Sequence, residues 1–113
     1  MITIYHNPRC GKSREALAFL QNNNLEVEII KYLEQPLTTE QIKSILEKLN
    51  LEPIDIVRTK EKVWIENYKG KSLSNSDIIK ALVQNPILIE RPIVINNEKA
   101  TIARIIEKLK NIL

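Results

Sequence analysis

The chain opens with a short β-prone run, a turn and a helix-patterned segment, and this order restricts the folds available to it. Ile2–Tyr5 is rich in β-branched and aromatic residues, and an Asn-Pro pair that signals a turn follows it. Residues 13–21 place apolar side chains at helical spacing, and Val27–Ile30 predicts a second strand. A β-α-β order favours two parallel strands joined by a right-handed crossover.

The middle of the chain is patterned as helices. Thr38 and Gln41 have the spacing of a capping box, which predicts the start of an amphipathic helix. Pro53 stands where a short helix can begin, and a weaker helical pattern follows it. Ser74 or Ser76 predicts the N-cap of a further helix, and a short helical turn is expected after Pro86.

The end of the chain returns to strands. Residues 92–95 and 99–103 predict a β-hairpin with its turn at Asn96-Asn97, and residues 104–113 predict a last amphipathic helix. A β-α-β unit followed by a β-β-α unit is the arrangement of a thioredoxin-like domain. We therefore predict an α/β fold with a thioredoxin-like mixed sheet in a single domain of 113 residues. The helical block, about residues 38–90, would be a helical subdomain inserted between the two halves.

Composition and charge exclude several classes of function. The net charge of +3 is dispersed along the chain, so we expect no nucleic-acid partner and no membrane-surface patch. No apolar run approaches the roughly 20 residues of a membrane span, and the first residues lack the pattern of a signal peptide. We therefore expect a cytoplasmic protein. Its single cysteine excludes an internal disulfide and a cysteine-based zinc cluster, and no metal site is predicted.

Cys10 is the first candidate for chemistry, because it stands after a strand and just before a helix. Free N–H groups at a helix start favour a negative charge, and cationic neighbours lower the pKa of a thiol. His6, Arg9, Lys12 and Arg14 are such neighbours in sequence. The alternative is a buried packing cysteine, which is a common role of the free thiol. Its polar flanking residues favour the nucleophile.

Three residues near Cys10 have candidate supporting roles. His6 would support the thiolate, directly or through the turn, or would be a turn residue whose ring caps the strand. Ser13 replaces the second cysteine of a Cys-x-x-Cys pair, so any oxidised Cys10 must be resolved by an external thiol. We also expect Ser13 to cap the helix and to donate a hydrogen bond to the sulfur or an anion. Gly11 would let the backbone approach a ligand closely.

Three arginines are candidates for oxyanion binding, because the guanidinium fork binds such anions at two points. They are Arg58, Arg91 and Arg104, and each taken alone is typical of a surface residue. Pro92 begins a predicted strand, which fits either the edge of a sheet or a cis peptide bond that faces the cysteine loop.

At this point the chain resembles the glutaredoxin-dependent arsenate reductases. The resemblance rests on "ITIYHNPRCGKSR" at the start, "YLEQP" at 32–36, "NPILIERPIV" at 85–94 and Arg104, and it covers nearly the whole chain. It implies that the Cys10 thiolate attacks arsenate and forms a covalent bond to arsenic. Glutathione, a co-substrate, then displaces it, and glutaredoxin resolves the mixed disulfide, which releases arsenite. No bound cofactor is implied.

The resemblance also implies roles for single residues. Cys10 matches the nucleophile, and His6 matches a histidine credited with lowering its pKa. Arg58, Arg91 and Arg104 match the oxyanion-binding arginines, and Pro92 matches the cis-proline of the fold. Ile105 departs from the family, in which many members have proline after the last arginine.

Two alternative functions remain open for this fold. One is a thiol oxidoreductase that acts on glutathionylated proteins or another oxidant rather than arsenate. The other is an interaction protein related to the transcriptional regulators of the same fold that bind RNA polymerase. Those regulators typically carry Cys-x-x-Cys, so Ser13 argues against a disulfide switch but not against binding.

Overall fold

A computed structural model describes all residues from Met1 to Leu113. It divides into two compact units, of which the first comprises Met1–Gln35 and Arg91–Leu113 and the second Pro36–Glu90. None of the helices combines the length and the apolar character that crossing a membrane requires.

The first unit is built on a four-stranded mixed sheet. Its strands are β1 (Ile2–Tyr5), β2 (Val27–Ile30), β3 (Ile93–Asn96) and β4 (Lys99–Ile102), in the order β2-β1-β3-β4. β1 is parallel to β2 and antiparallel to β3, and β3 is antiparallel to β4. Helix α1 (Gly11–Asn22) connects the parallel pair. The predicted β-α-β and β-β-α halves, and with them the thioredoxin-like fold class, are therefore confirmed.

The register of β1 fixes where the loops of the first unit emerge. Tyr5, the last residue of β1, is paired with Ile30 at the end of β2 and with Ile93 at the start of β3. The chain segments after β1, after β2 and before β3 therefore meet at one edge of the sheet. All four residues of β1 are paired with β2 on one side and with β3 on the other. This pairing fixes the position of the three segments.

The core of the first unit lies between the sheet and the helices of the same unit. The branched apolar residues of β1 and β3 alternate into it, as expected for a half-buried strand. Its buried members are Ile2, Ile4, Ala16, Leu20, Val94, Ala103, Leu109 and Ile112. Burial of the isoleucine, leucine and valine side chains among them contributes about 1.5–3 kcal/mol each to stability.

The C-terminal elements differ from the sequence prediction in two ways. The last helix, α5, covers only Glu107–Lys110, because the Arg104 guanidinium donates to the carbonyl of Arg91 and the Asn96 side chain donates to the carbonyl of Ile112. These side-chain bonds hold the flanking residues in turns. The hairpin turn consists of Asn97 and Glu98, one residue later than predicted, and Asn97 adopts a left-handed φ of 58° that asparagine tolerates.

The second unit is helical. It contains α2 (Thr39–Leu49), α3 (Lys62–Asn67) and α4 (Asn75–Gln84), with short 3₁₀ turns at Pro53–Ile56 and Pro86–Leu88. These bounds agree with the helical pattern of the sequence.

Two complete capping boxes define the starts of α2 and α4. Thr38 and Gln41 exchange hydrogen bonds between side chain and backbone, as the sequence predicts. Ser74, rather than Ser76, is the N-cap of α4, and its partner is Asp77. The acidic side chain at the third helical position explains the choice, because it can reach back to the N–H of the residue at the cap.

Replacement of Thr38 by alanine should lower the free energy of unfolding by about 1 kcal/mol, because it removes the oxygen that caps α2. Fluorescence of Trp64, the only tryptophan and a buried residue of the same unit, reports the transition in a urea titration. The matched control is Thr39→Ala, which leaves the cap in place. Equal destabilisation by the two variants would contradict the contribution of the capping box.

Candidate active site

Cys10 follows the turn after β1 and is the N-cap of α1. Its backbone is extended, with φ −93° and ψ 121°, and its N–H donates to the carbonyl of Asn7 at 3.0 Å. Its own carbonyl accepts the N–H of Arg14 at 3.0 Å, which is the first bond of the helix. The sulfur is half-buried rather than enclosed in the core. This position differs from that of a packing cysteine and agrees with a nucleophile at a helix N-terminus.

The surroundings of the sulfur favour the thiolate. Burial alone would raise the pKa of the Cys10 thiol, but the other influences outweigh it and the pKa lies below the ordinary value of 9.0. The largest of these influences is the backbone N–H of Ser13, followed by the charge of Arg91 and the N–H of Lys12. Hydrogen bonds from amides at the start of a helix favour the charged form of a thiol, which explains the direction of the shift.

Ser13 connects the start of α1 to the end of β1. Its Oγ lies 2.6 Å from Nδ1 of His6 and accepts the N–H of Asn7 at 3.0 Å. The side chain is fully buried. The prediction that Ser13 caps the helix is wrong, because Cys10 occupies that position and Ser13 is the third residue of α1. Its hydroxyl bonds to the preceding turn, and its backbone N–H is the group that acts on the thiolate.

His6 stands behind Ser13 and is buried, with 5% of its surface exposed. Burial, and then the positive charges of Lys31 and Arg14, lower the pKa of His6 below its ordinary value of 6.5. The imidazole is therefore neutral at neutral pH. His6 can therefore influence Cys10 through its hydrogen bond with Ser13. It does not act on the thiolate as a neighbouring positive charge.

Arg91 is the cation that the structure places against Cys10. Its charge, and then a side-chain hydrogen bond from it, lower the pKa of the Cys10 thiol. The peptide bond between Arg91 and Pro92 is cis, and Pro92 directly precedes β3, an interior strand of the sheet. Of the two alternatives for Pro92, the structure shows the cis bond rather than the sheet edge. Arg104 lies beside this segment, and its Nη1 donates to the carbonyl oxygen of Arg91 at 3.2 Å.

Arg58 belongs to the second unit and is held there by local contacts. Its guanidinium forms an ion pair of 2.8 Å with Glu61 and donates to the carbonyl of Ile87 at 3.3 Å. Its backbone N–H donates to the carbonyl of Leu88 at 2.7 Å, next to the antiparallel bridge between Val57 and Ile89. The side chain is thus ordered by its own unit, and its role in anion binding stays a prediction.

Gly11 is exposed and does not adopt a positive φ. A Cβ atom at this position would meet only the guanidinium of Arg14, at an ordinary distance of 3.7 Å. The fold therefore does not require glycine here, and any requirement would come from a ligand. No group of three or more histidine, cysteine, aspartate or glutamate side chains is arranged to hold a metal ion.

Asn7 has a larger role in this loop than the turn signal of an Asn-Pro pair predicts. In the structure its Oδ1 accepts the N–H of Arg9 at 3.0 Å, its carbonyl accepts the N–H of Cys10, and its N–H donates to Ser13. It therefore shapes the whole turn. The tendency of asparagine to bond to the backbone two residues later is the signal that pointed to this role.

Removal of the Arg91 charge should raise the pKa of Cys10. The alkylation rate of the thiol, followed against pH with iodoacetamide, reports the fraction of thiolate. We expect the rate of Arg91→Ala to rise at higher pH than that of the wild type. Arg9→Ala, which removes an exposed arginine next to Cys10 in sequence, is the control and should keep the wild-type profile. Identical profiles for the wild type and Arg91→Ala would contradict the contact.

The neutral state of His6 predicts a pH dependence of stability. Because the folded pKa is lowered, the unfolded chain binds a proton that folded His6 refuses, and stability falls as the pH decreases below 6.5. The fall ends once the pH is below the folded pKa. Urea titrations of Cys10→Ser and of Cys10→Ser/His6→Asn, a pair without thiol titration, isolate the effect. The fall should be smaller in the second protein, and equal slopes would disprove the assignment.

The chain is similar to known proteins over nearly its whole length. The model of the ArsC family matches residues 5–112. The uncharacterized protein YfgD of Escherichia coli is 44% identical over 105 residues, which cover 91% of this chain and 88% of the relative. An arsenate reductase of Haemophilus influenzae is 40% identical over 114 residues, which cover 99% of this chain and 98% of the relative.

A solved structure shares the same architecture. The arsenate reductase from Vibrio cholerae superposes with a TM-score of 0.95 at 41% identity, over 99% of this chain and 97% of its own. The similarity thus extends through both compact units, and the family match includes Cys10 and the segment around Arg91. On this evidence, the chain belongs to the ArsC family.

Proposed function

We propose that this protein reduces arsenate to arsenite, with the Cys10 thiolate as nucleophile and external thiols as the reductant. The proposal is carried by the contact between the Arg91 guanidinium and a sulfur at the N-terminus of α1. One site then contains a thiol whose pKa is lowered and a guanidinium that can bind an oxyanion at two points. The relatives called arsenate reductase, one of them 40% identical over nearly the full length, support arsenate as the oxyanion.

The reaction begins with attack of the thiolate on arsenic. A bond forms between the Cys10 sulfur and arsenic, and one arsenate oxygen leaves as water. Arg91 offsets the negative charge of arsenate, which would otherwise repel the thiolate. The amides at the start of α1 favour the same anion, because they carry the positive end of the helix dipole.

External thiols complete the reaction and supply the electrons. Their two sulfurs join as a disulfide, the bond between Cys10 and arsenic breaks, and arsenic passes from As(V) to As(III). In sum, arsenic acid and two thiols give arsenous acid, one disulfide and one water. Cys10 is the only cysteine, so both of these thiols must come from other molecules. We propose glutathione as co-substrate and glutaredoxin as the partner, with no bound cofactor.

Arg104 and Arg58 are proposed to assist in binding arsenate. The hydrogen bond from the Arg104 guanidinium to the carbonyl of Arg91 supports this role for Arg104. Arg58 is carried over from the family resemblance alone, and its ion pair with Glu61 holds the guanidinium in one orientation. His6 and Ser13 are proposed as positioning residues that hold the amides of α1 toward the sulfur.

The decisive test compares the wild type with Cys10→Ser in an assay that couples arsenate reduction to NADPH oxidation through glutathione, glutaredoxin and glutathione reductase. The wild type should turn over, and Cys10→Ser should lose the activity, because the hydroxyl is a far weaker nucleophile. Phosphate, which has the shape and charge of arsenate but is not reduced, should inhibit competitively. A circular dichroism melt checks that the variant is folded.

Three outcomes of this assay have distinct meanings. Full activity of Cys10→Ser would refute the nucleophile. Turnover that depends on thioredoxin and not on glutaredoxin would keep the nucleophile and replace the reductant. A wild type that reduces a glutathionylated peptide but not arsenate would replace the substrate.

A further inference from the structure

A pocket of about 320 Å³ lies beside the turn that leads to Cys10, and the arsenate chemistry does not use it. His6 and Arg9 form one wall, from the turn after β1. Lys31, Leu33 and Glu34 form the other, from the segment after β2. All of these residues belong to the first unit. The volume lies at the lower end of the range for sites that bind small molecules.

The sheet places this pocket on the opposite flank of β1 from Arg91. Tyr5 is paired with Ile30 on one side and with Ile93 on the other. The residues that follow β2 therefore lie on one side of the turn after β1, and the residues that precede β3 lie on the other. Crevices at the carboxyl ends of parallel strands are common ligand sites in open α/β sheets, and β1 and β2 form such a pair.

The two flanks of the turn after β1 carry different groups, with Arg91 on the β3 flank and the pocket on the β2 flank. Arg91 and Arg104, the cations of the oxyanion site in the proposed function, lie on the β3 flank. Two reactants must reach the same sulfur, first the oxyanion and then a thiol. With arsenic held on the β3 flank, the second reactant would approach from the β2 flank, where the pocket lies next to the Cys10 turn.

The charges that line the pocket are mixed. Arg9 and Lys31 are exposed cations, and Glu34 is an exposed carboxylate. Leu33, whose side chain is 41% exposed, provides an apolar surface between them. A ligand that complements this lining carries two negative groups, one positive group and a short aliphatic chain. Exposed charges of this kind select a partner and its orientation more than they add affinity.

We propose that the pocket binds the charged ends of a small peptide thiol of the glutathione type and presents its sulfur to the Cys10 adduct from the flank opposite Arg91. Such a peptide has two carboxylates and one ammonium, which match Arg9, Lys31 and Glu34 in number and sign. The bound thiol is one of the two thiols in the balanced reaction above. The assignment rests on the proposed function, since the Cys10 adduct is the target of the thiol.

Binding is tested first without any reaction. S-methylglutathione, which keeps the charges but has no free thiol, is titrated into ¹⁵N-labelled protein and followed by NMR. We expect saturable shifts of the amides after β1 and after β2. Lys31→Glu and Arg9→Glu should each weaken binding about fivefold, as expected for reversal of an exposed charge contact. Lys99→Glu, an exposed lysine on β4, has the same change of net charge and should bind as the wild type does.

The kinetic counterpart separates the pocket from the arsenate chemistry. In Arg9→Glu the KM for glutathione should rise about fivefold, while the KM for arsenate stays unchanged, because Arg9 is not among the groups that shift the pKa of Cys10. The rate with 2-mercaptoethanol, a thiol without charged ends, should also stay unchanged.

The pocket assignment and the proposed function fail in different ways. Absence of saturable shifts, shifts confined to the Arg91 flank, or equal affinity of Lys31→Glu and Lys99→Glu would overturn the pocket and leave arsenate reduction standing. Binding that responds to Lys31→Glu in a protein that does not reduce arsenate would support the pocket as a peptide-thiol site and refute the arsenate reaction.

Discussion

The pairing of β1 on both of its sides is the constraint on which the site depends. β1 is parallel to β2 and antiparallel to β3. Its last residue, Tyr5, is paired with a residue of each neighbouring strand. The N–H of His6 still donates to the carbonyl of Ile30 at 2.8 Å, and only then does the chain turn toward α1. This ladder fixes the point from which the Cys10 loop leaves the sheet. It also delivers the segment that contains Arg91 to the same edge.

A single hydroxyl transmits this constraint to the helix. Ser13 joins the first turn of α1 to His6 and to the N–H of Asn7, so the amides that stabilise the thiolate are positioned by the end of β1. The division of roles follows from the charges. Arg91 and the amides of α1 act on the sulfur directly, and neutral His6 acts on the position of Ser13. We propose that this arrangement admits an oxyanion to Cys10 from one flank and an external thiol from the other.

The predictions agree with the structure where an element depends on residues close in sequence, and they differ where it depends on distant ones. Strand β1, the capping box of Thr38 and the helix after Ser74 depend on neighbours within a few residues, and the sequence analysis located them. The last helix was predicted too long, because the side chains that hold its flanking turns, Asn96 and Arg104, contact residues distant in sequence. The predicted N-cap role of Ser13 was wrong for a local reason, because α1 begins at Gly11 and Cys10 is its N-cap.

The sequence by itself determined the order of strands and helices, the family resemblance, and the presence of one cysteine before a helix. Periodicity, turn residues and capping motifs are local, so they are readable from neighbouring letters. Only the tertiary structure decided which arginine contacts the sulfur, that His6 is neutral, and that Lys31 and Arg9 share a pocket. Those outcomes depend on burial and on the pairing of strands distant in sequence. The energy of a charge or a hydrogen bond is set by the groups that folding brings beside it.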